Sequence, residues 1–233
     1  MKSEKIQVNT SKGLATINYS DFDKLIEMLI YQKRQVFEYT CLSTYYNKYW
    51  RLLENLKMFE LPNNAKVLDV GCGNSIMDFI LYQYATNPTI YLLDKHELKY
   101  PRPAWVDQVE NYQFYHLWDV VEDAIASSNF NKDNFVFLSP EDIWPQDLDL
   151  ITSYGSWGWH YPFSTYWPQA RESLKVGGKL SIDLSDNANS FMFPSVIDMV
   201  SEDFADTPII HRKTPSKDTT KNSGCRIIWT RRR

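Results

Sequence analysis

A glycine-containing turn is the first feature of the sequence whose residue types and spacing could do chemistry. Residues 69–73, Asp-Val-Gly-Cys-Gly, follow the apolar run 65–68, which has the character of a buried parallel strand. Gly71 and Gly73 let the backbone turn tightly and approach a ligand, because neither residue carries a Cβ. Such a turn is typical of nucleotide-type cofactor sites in α/β domains.

The spacing of this turn separates one class of nucleotide cofactor from another. A dinucleotide fingerprint requires a third glycine, which would fall at position 76, and this chain has Ile76 there. The β-branched side chain disfavours the helix packing and the pyrophosphate seat of NAD or FAD sites. The sequence also has no P-loop, so ATP binding by that device is not predicted.

Asp94 is the second candidate ligand of a cofactor. It ends the predicted strand 89–94 and lies 23 residues beyond Gly71. A carboxylate in that place accepts both hydrogen bonds of a ribose diol, and a free 2′-hydroxyl argues against NADP. The alternative interpretation is an ordinary strand-to-helix turn with an aspartate on the surface.

Three segments in order resemble motifs of the class I S-adenosylmethionine-dependent methyltransferases. Residues 67–73 are similar to the first motif of that family, residues 91–94 to the second, and residues 174–184 to the stretch that leads into the fifth strand. The resemblance covers roughly residues 60–232. It implies S-adenosyl-L-methionine as the cofactor, S-adenosyl-L-homocysteine as the product, and a Rossmann-like fold.

The resemblance also implies roles for individual residues. Asp69 and the Gly71 backbone would face the methionine end of the cofactor, and Gly73 would give clearance. Asp94 would hold the ribose hydroxyls, with Lys95 beside the adenine. The remaining expected cofactor contacts are Cys72 in the turn and Ser153 at the end of the fourth strand.

The residue that binds the adenine amino group in this family is acidic or polar and follows the third strand. Glu141 and Asp142 lie there, and Asp142 is the favoured candidate. Either carboxylate can instead cap a short helical turn, and that alternative stays open. Asp94 and Asp142 are 48 positions apart, which is more than is common in the family.

The segment 153–163 is the candidate acceptor side, because it follows the fourth strand and should emerge beside the methyl donor. Methyl transfer to a hydroxyl needs a base, and His160 titrates in a suitable range. A histidine packed within the fold is the alternative. The segment also predicts an aromatic wall for a sugar ring or flat metabolite, formed by Tyr154, Trp157, Trp159 and Tyr161, although alternate members can point into the core. Residues 156–162, with the pattern S-W-G-x-H-Y-P, are similar to a run in bacterial and phage-borne sugar O-methyltransferases.

Composition limits the partners that are expected. The net charge of −4 and a pI of about 5.6 disfavour nucleic acid, and the base-flipping tetrapeptide of amino-methylating DNA enzymes is missing. The three cysteines form no zinc pattern and none follows a proline, so neither zinc nor cytosine-C5 chemistry is expected. A magnesium site at Asp183, Asp186 and Asn187 is a less favoured alternative, and metal dependence stays open. The chain has no apolar leader or membrane span, which predicts a cytoplasmic protein.

These observations favour an enzyme that methylates an oxygen of a small molecule or saccharide. Two alternatives stay open: a methyltransferase acting on nucleic acid or protein, and a catalytically silent module that binds the cofactor. The sequence does not indicate the oligomeric state.

Strand and helix patterns predict the elements that would position these residues. Alternating strands and helices from residue 65 onward predict an α/β fold with a doubly wound, mostly parallel, seven-stranded sheet that ends in a C-terminal antiparallel hairpin. The break at Pro62 divides the chain into an N-terminal cap, 1–62, and a cofactor-binding domain, 63–233. The cap is predicted to contain a short hairpin and two helices.

Overall fold

The structure is a computed structural model of the chain. It describes residues 5–10, 13–18, 59–73, 75–95, 118–127, 130–158, 161–185, 196, 199–200, 203–204, 209–212 and 224–232. The chain forms two compact units, one of residues 1–58 and 96–133 and the other of residues 59–95 and 134–233. The predicted division at residue 62 lies close to the first of these boundaries, and the assignment of residues 1–62 as a cap stays a prediction.

The described elements alternate between strands and helices over most of the chain. In chain order they are β1 (Lys5–Thr10), β2 (Gly13–Asn18), β3 (Lys66–Val70), α1 (Ile76–Tyr84), β4 (Thr89–Leu93), α2 (Trp118–Ser127), a 3-10 turn (Lys132–Asn134), β5 (Phe135–Leu138), β6 (Leu148–Ser153), a 3-10 turn (Phe163–Thr165), α3 (Trp167–Ser173), β7 (Leu174–Ser185), β8 (Ile209–Arg212) and β9 (Gly224–Thr230). No helix in these ranges is long and apolar enough to cross a membrane.

The first unit contains the hairpin predicted near the N-terminus. β1 and β2 pair antiparallel from Lys5–Asn18 to Thr10–Gly13 and form a two-stranded sheet of their own. α2 belongs to the same unit and agrees with the helix that the sequence pattern predicts at about 115–128. The two helices predicted for the cap, between residues 20 and 58, lie outside the described residues.

The second unit is built on one sheet of the order β5-β4-β3-β6-β7-β9-β8. The pairs from β5 to β7 are parallel, and β9 pairs antiparallel with both β7 and β8. The prediction of a mostly parallel, Rossmann-like sheet with a C-terminal antiparallel hairpin is confirmed. The chain runs outward from β3 to β5 and then returns to β6 on the other side of β3. Ligands of such sheets bind at this switch point, beside the carboxyl ends of β3 and β6.

Aromatic side chains fill the core on one face of this sheet. Trp157 stacks on Phe163 with ring centroids 4.9 Å apart, and Phe163 stacks on Trp167 at 5.3 Å. Trp167 in turn contacts Phe204 at 5.5 Å, and Phe204 lies 6.2 Å from Trp229. Much of the aromatic richness of this unit therefore serves packing.

The approach to β7 differs from the sequence prediction. The sequence pattern of residues 164–175, followed by two glycines, predicts a helix with a left-handed glycine cap, but α3 ends at Ser173 and Leu174 is already extended. Gly177 does have a positive φ of 81°, yet it lies inside β7, where the register with β6 shifts. Its N–H donates to the carbonyl of Arg231 at 2.8 Å. The glycine therefore makes a bulge that the C-terminal strand closes, which helix-cap reasoning does not detect.

Candidate functional site

The glycine turn is fixed to the neighbouring strand. Gly71 and Gly73 have φ values of 73° and 60°, a backbone region that favours glycine. The N–H groups of Gly71 and Cys72 both donate to the carbonyl of Leu93, at 2.7 and 3.2 Å. A Cβ at position 71 would lie 2.0 Å from the hydroxyl oxygen of Ser156. The turn therefore needs glycine because the segment after β6 lies directly against it.

Asp94 joins the same turn through its carboxylate. Its Oδ2 accepts the N–H of Gly73 at 2.9 Å, and its Oδ1 accepts the N–H of Lys95 at 2.7 Å. Burial raises the pKa of Asp94, while these two backbone hydrogen bonds oppose the rise. Each carboxylate oxygen can accept a further hydrogen bond. The structure thus brings together three residues that are predicted to hold the cofactor, Gly73, Asp94 and Lys95, at the carboxyl edge of the sheet.

Asp69 is buried at the end of β3, with an exposed fraction of 3%. Burial raises the pKa of its carboxyl to about 7, and the Thr152 hydroxyl, which donates to Oδ1 at 2.9 Å, works against this rise. The carboxyl of Asp78 on α1 lies within hydrogen-bonding reach. Reasoning from the sequence missed Asp78. Its only signal was its position three residues after Ser75, which indicated helix capping.

Cys72 is buried inside the turn. Burial raises the pKa of its thiol well above the usual range, and the nearby carboxyls of Asp94, Asp78 and Asp69 add to this effect. The thiol is therefore protonated at neutral pH, and its sulfur lies 3.8 Å from the Gly73 carbonyl. The predicted cofactor contact of Cys72 stays a prediction, with its backbone as the available group.

Ser153 links the end of β3 to the segment after β6. Its buried hydroxyl donates to the Val70 carbonyl at 2.7 Å and accepts the N–H of Trp157 at 2.9 Å. These bonds hold residues 154–158 in place beside the glycine turn. The hydroxyl is thus committed to protein groups, and a cofactor contact by Ser153 stays a prediction.

Replacing Ser153 with Ala should lower the free energy of unfolding by about 1–3 kcal/mol, because two buried backbone groups lose their partner. Urea denaturation measures the effect, with Ser164→Ala on an exposed 3-10 turn as the control. Equal stability of the two variants would contradict the structural role given to the Ser153 hydroxyl.

Asp142 has a local hydrogen-bonding role at the end of β5. Its Oδ2 accepts the N–H of Ser139 at 2.7 Å, and its own N–H donates to the Ser139 carbonyl at 3.0 Å. This geometry matches the capping alternative. Glu141 is also exposed. Burial is the main cause that raises the pKa of Tyr166, and the charges of Tyr161, Asp94 and Glu141 add to it in that order. An adenine contact by Asp142 or Glu141 stays a prediction.

The predicted aromatic wall is partly core. Trp157 has no exposed surface, and its indole N–H donates to the Phe163 carbonyl at 2.8 Å. Its assignment to substrate binding is therefore corrected: the isolated bridge to Tyr161 and the bond to Ser153 turn the ring inward. Tyr161 is 40% exposed and is open to a ligand. Trp159 and His160 lie outside the described residues.

A buried ion pair beneath Tyr154 was not foreseen. Arg226 on β9 binds Asp183 on β7 through two hydrogen bonds, Nε to Oδ1 at 2.9 Å and Nη2 to Oδ2 at 3.2 Å. Its guanidinium lies 3.9 Å from the centroid of the Tyr154 ring, and the Tyr154 hydroxyl is 3.1 Å from that of Ser181. Burial raises the pKa of Tyr154 above its usual range, so the phenol is neutral. This arrangement positions Tyr154 rather than activating it as a base.

Metal-ligating side chains do not gather in the ranges that the structure describes. No group of three or more His, Cys, Asp or Glu residues there is arranged to hold a metal ion.

Comparison with solved structures supports the fold, whereas comparison of the sequence with known families and curated proteins found no match. Solved structures do match, among them an rRNA methylase from Streptococcus thermophilus at a TM-score of 0.50 and 13% identity, covering 75% of this chain and 92% of that one. The YcgJ protein of Bacillus subtilis matches at a TM-score of 0.57 and 12% identity, covering 78% of this chain and 97% of that one.

A third similar structure contains the cofactor itself. Phosphoethanolamine N-methyltransferase 2 of Haemonchus contortus, in complex with S-adenosyl-L-methionine, matches at a TM-score of 0.57 and 11% identity. The match covers 78% of this chain and 52% of that one. Identities this low establish shared architecture, and activities are not transferred by it. The chain therefore shares the Rossmann-like fold of these structures.

Proposed function

We propose that this chain is an S-adenosylmethionine-dependent methyltransferase acting on an oxygen of a small-molecule or saccharide acceptor. The observation that carries the proposal is the Asp94 carboxylate, which is bound to the Gly73 N–H at the switch point of the sheet. A ribose diol needs such an acceptor, placed beside a turn that leaves room for the sugar.

The residues at this edge fit the cofactor. Two orphaned buried polar atoms, Ser75 Oγ and Asp78 Oδ2, lie at the turn without a protein partner. The carboxyls of Asp69 and Asp94 complement the positive charge of a sulfonium and an ammonium group. In this proposal Asp94 holds the ribose, Lys95 lies beside the adenine, and the Gly71 backbone and Asp69 face the methionine moiety.

Bound S-adenosyl-L-methionine would supply an electrophilic methyl group. A ring nitrogen of His160 would take the proton of the acceptor hydroxyl and pass it to solvent, while the hydroxyl oxygen takes the methyl group and S-adenosylhomocysteine leaves as the methyl–sulfur bond breaks. Tyr161, being exposed, contributes the accessible face of the acceptor site. Ser153 and the Tyr154–Arg226 contact keep the intervening backbone in place.

Asp94→Ala should weaken S-adenosylmethionine binding about 100-fold, because it removes charge-assisted hydrogen bonds to the ribose and the acceptor of the Gly73 N–H. Isothermal titration calorimetry measures the affinity. Asp147→Asn is the matched control, since Asp147 is exposed and its φ of 60° suits asparagine. Unchanged affinity in Asp94→Ala would remove this residue from the site.

The acceptor class is tested by a screen of sugar nucleotides, glycans and small metabolites for release of S-adenosylhomocysteine. We expect release with one of these classes and none with RNA or DNA. Turnover on a nucleic acid, with an affinity that falls steeply with salt, would contradict the small-molecule assignment and favour the nucleic-acid alternative.

A further inference from the structure

Two carboxyl groups lie buried together behind the glycine turn. Asp69 and Asp78 have exposed fractions of 3% and 2%, and their side chains are within hydrogen-bonding reach of each other. Within the described part of the chain, neither forms an ion pair, and the Thr152 hydroxyl is the one neutral donor to Asp69. Two adjacent buried carboxylates cannot both be ionised at low cost, so such pairs hold a proton between them.

The usual role of this sequence pattern is not realised here. Ser75 and Asp78 have the spacing of a capping box at the start of α1. The Ser75 hydroxyl nevertheless makes no cap hydrogen bond, and both Ser75 Oγ and Asp78 Oδ2 are buried without a partner. Folded proteins satisfy nearly all buried polar atoms. Two buried polar atoms without hydrogen-bond partners at one turn therefore indicate a ligand group that is polar and able to donate hydrogen bonds.

The charged surroundings favour a cation at this position. Asp69 faces Asp94 after β4 and Arg226 on β9, and it also acts on the neutral phenol of Tyr154. The protonated thiol of Cys72 faces all three aspartates. Among the described residues, Arg226 is the one cation in this group, and it is already bound to Asp183. The described carboxyl groups thus outnumber the described cations, which an ammonium group would correct.

This inference rests on the proposed function. We propose that Asp78 is a positioning residue that shares one proton with Asp69, and that the α-ammonium group of the bound cofactor displaces this proton into solvent. The proton leaves the carboxyl pair for water, and the Asp69 carboxylate, positioned by Asp78, then faces the ammonium and its hydrogen-bond donors. Asp78 acts through Asp69 and shapes how strongly that carboxylate binds the cofactor.

The sign of the pH dependence follows from this exchange. Burial raises the pKa of Asp69 to about 7 and raises that of Asp78 as well, so the pair holds its proton below neutrality. Because binding releases the proton, affinity for the cofactor should rise with pH up to about neutral pH and level off above it. In the unliganded protein, the stability that the shared proton contributes is present at low pH and is lost as pH rises through about 7.

Calorimetric titration with S-adenosylmethionine, in buffers of different ionisation enthalpy, counts the protons released. Near about pH 6 the natural protein should release up to about one proton per bound cofactor, and the double variant Asp69→Asn with Asp78→Asn should release almost none, because no carboxyl group remains there to hold a proton. Asp147→Asn, in an exposed loop, should behave as the natural protein does. S-adenosylhomocysteine retains the ammonium and should release the proton too.

Release by the first ligand but not by the second would overturn the role of the ammonium. Equal release in this double variant and the natural protein would overturn the carboxyl pair as the source of the proton. Binding without any proton release would overturn this inference alone, whereas absence of binding would overturn the proposed function with it. A measurement that needs no variant is the infrared difference spectrum on adding S-adenosylmethionine to the natural protein, which should show the loss of a protonated carboxyl band. A spectrum without that loss, in a protein that binds the cofactor, contradicts proton sharing.

Discussion

Replacement of His160 with Ala is expected to lower turnover roughly 100- to 10,000-fold, the range that positioned general bases contribute. The reason is chemical: an acceptor hydroxyl is a poor nucleophile until its proton is taken, and histidine is the side chain in this segment that titrates near neutrality. The affinity for S-adenosylmethionine should stay unchanged, because the residues proposed to hold the cofactor lie on other segments. Steady-state kinetics and calorimetry together separate the two effects.

The control for this variant is Thr165→Ala, on the exposed 3-10 turn that follows the same segment. It should retain full turnover. Near-normal turnover in His160→Ala would assign His160 to packing within the fold.

Arg226→Met is expected to lower the free energy of unfolding by about 3–5 kcal/mol. The guanidinium is 13% exposed and its partner Asp183 only 5%, so its removal leaves a carboxylate buried without compensation. The Tyr154 ring also loses the cation that lies 3.9 Å from its centroid. Urea denaturation gives the change in stability directly.

The double variant Arg226→Met with Asp183→Leu isolates the cause. Removing both charges should be much less destabilising than Arg226→Met alone, because no buried carboxylate is left unpaired. If the single variant loses less than about 1 kcal/mol, the pair behaves like a surface ion pair and does not anchor β9 to β7.

The cofactor side of the site was largely predictable from sequence because its signals are local. A strand followed by two glycines, and an acid at the end of the next strand, fix the turn and Asp94 relative to each other once the strands pair in parallel. Gly71 and Gly73 have the positive φ values that this reading requires. The hydrogen bond from Gly73 to Asp94 joins the two motifs that were found separately.

Features that depend on distant pairing were not predictable. The contact of Asp183 with Arg226 joins residues 43 positions apart and exists because β7 and β9 pair in that register. Trp157 illustrates a second limit, because an aromatic residue in a loop after a strand can face either a ligand or the core. In this structure two hydrogen bonds hold Trp157 in the core. The carboxyl of Asp78 depends on how α1 lies against β3, which helix periodicity alone does not define.

Fewer described residues lie on the acceptor side of the site than on the cofactor side. Tyr161 is exposed beside the loop, while Trp159 and His160 are proposed from their sequence positions. Cofactor binding is therefore the claim on which the proposed methyl transfer and the proposed proton release depend.

The most direct test of that claim is calorimetric titration of the natural protein with S-adenosylmethionine. We predict saturable binding at a single site, with an affinity roughly in the micromolar range, near 8 kcal/mol. If the folded protein shows no binding at millimolar S-adenosylmethionine, the proposal that this chain binds the cofactor is contradicted.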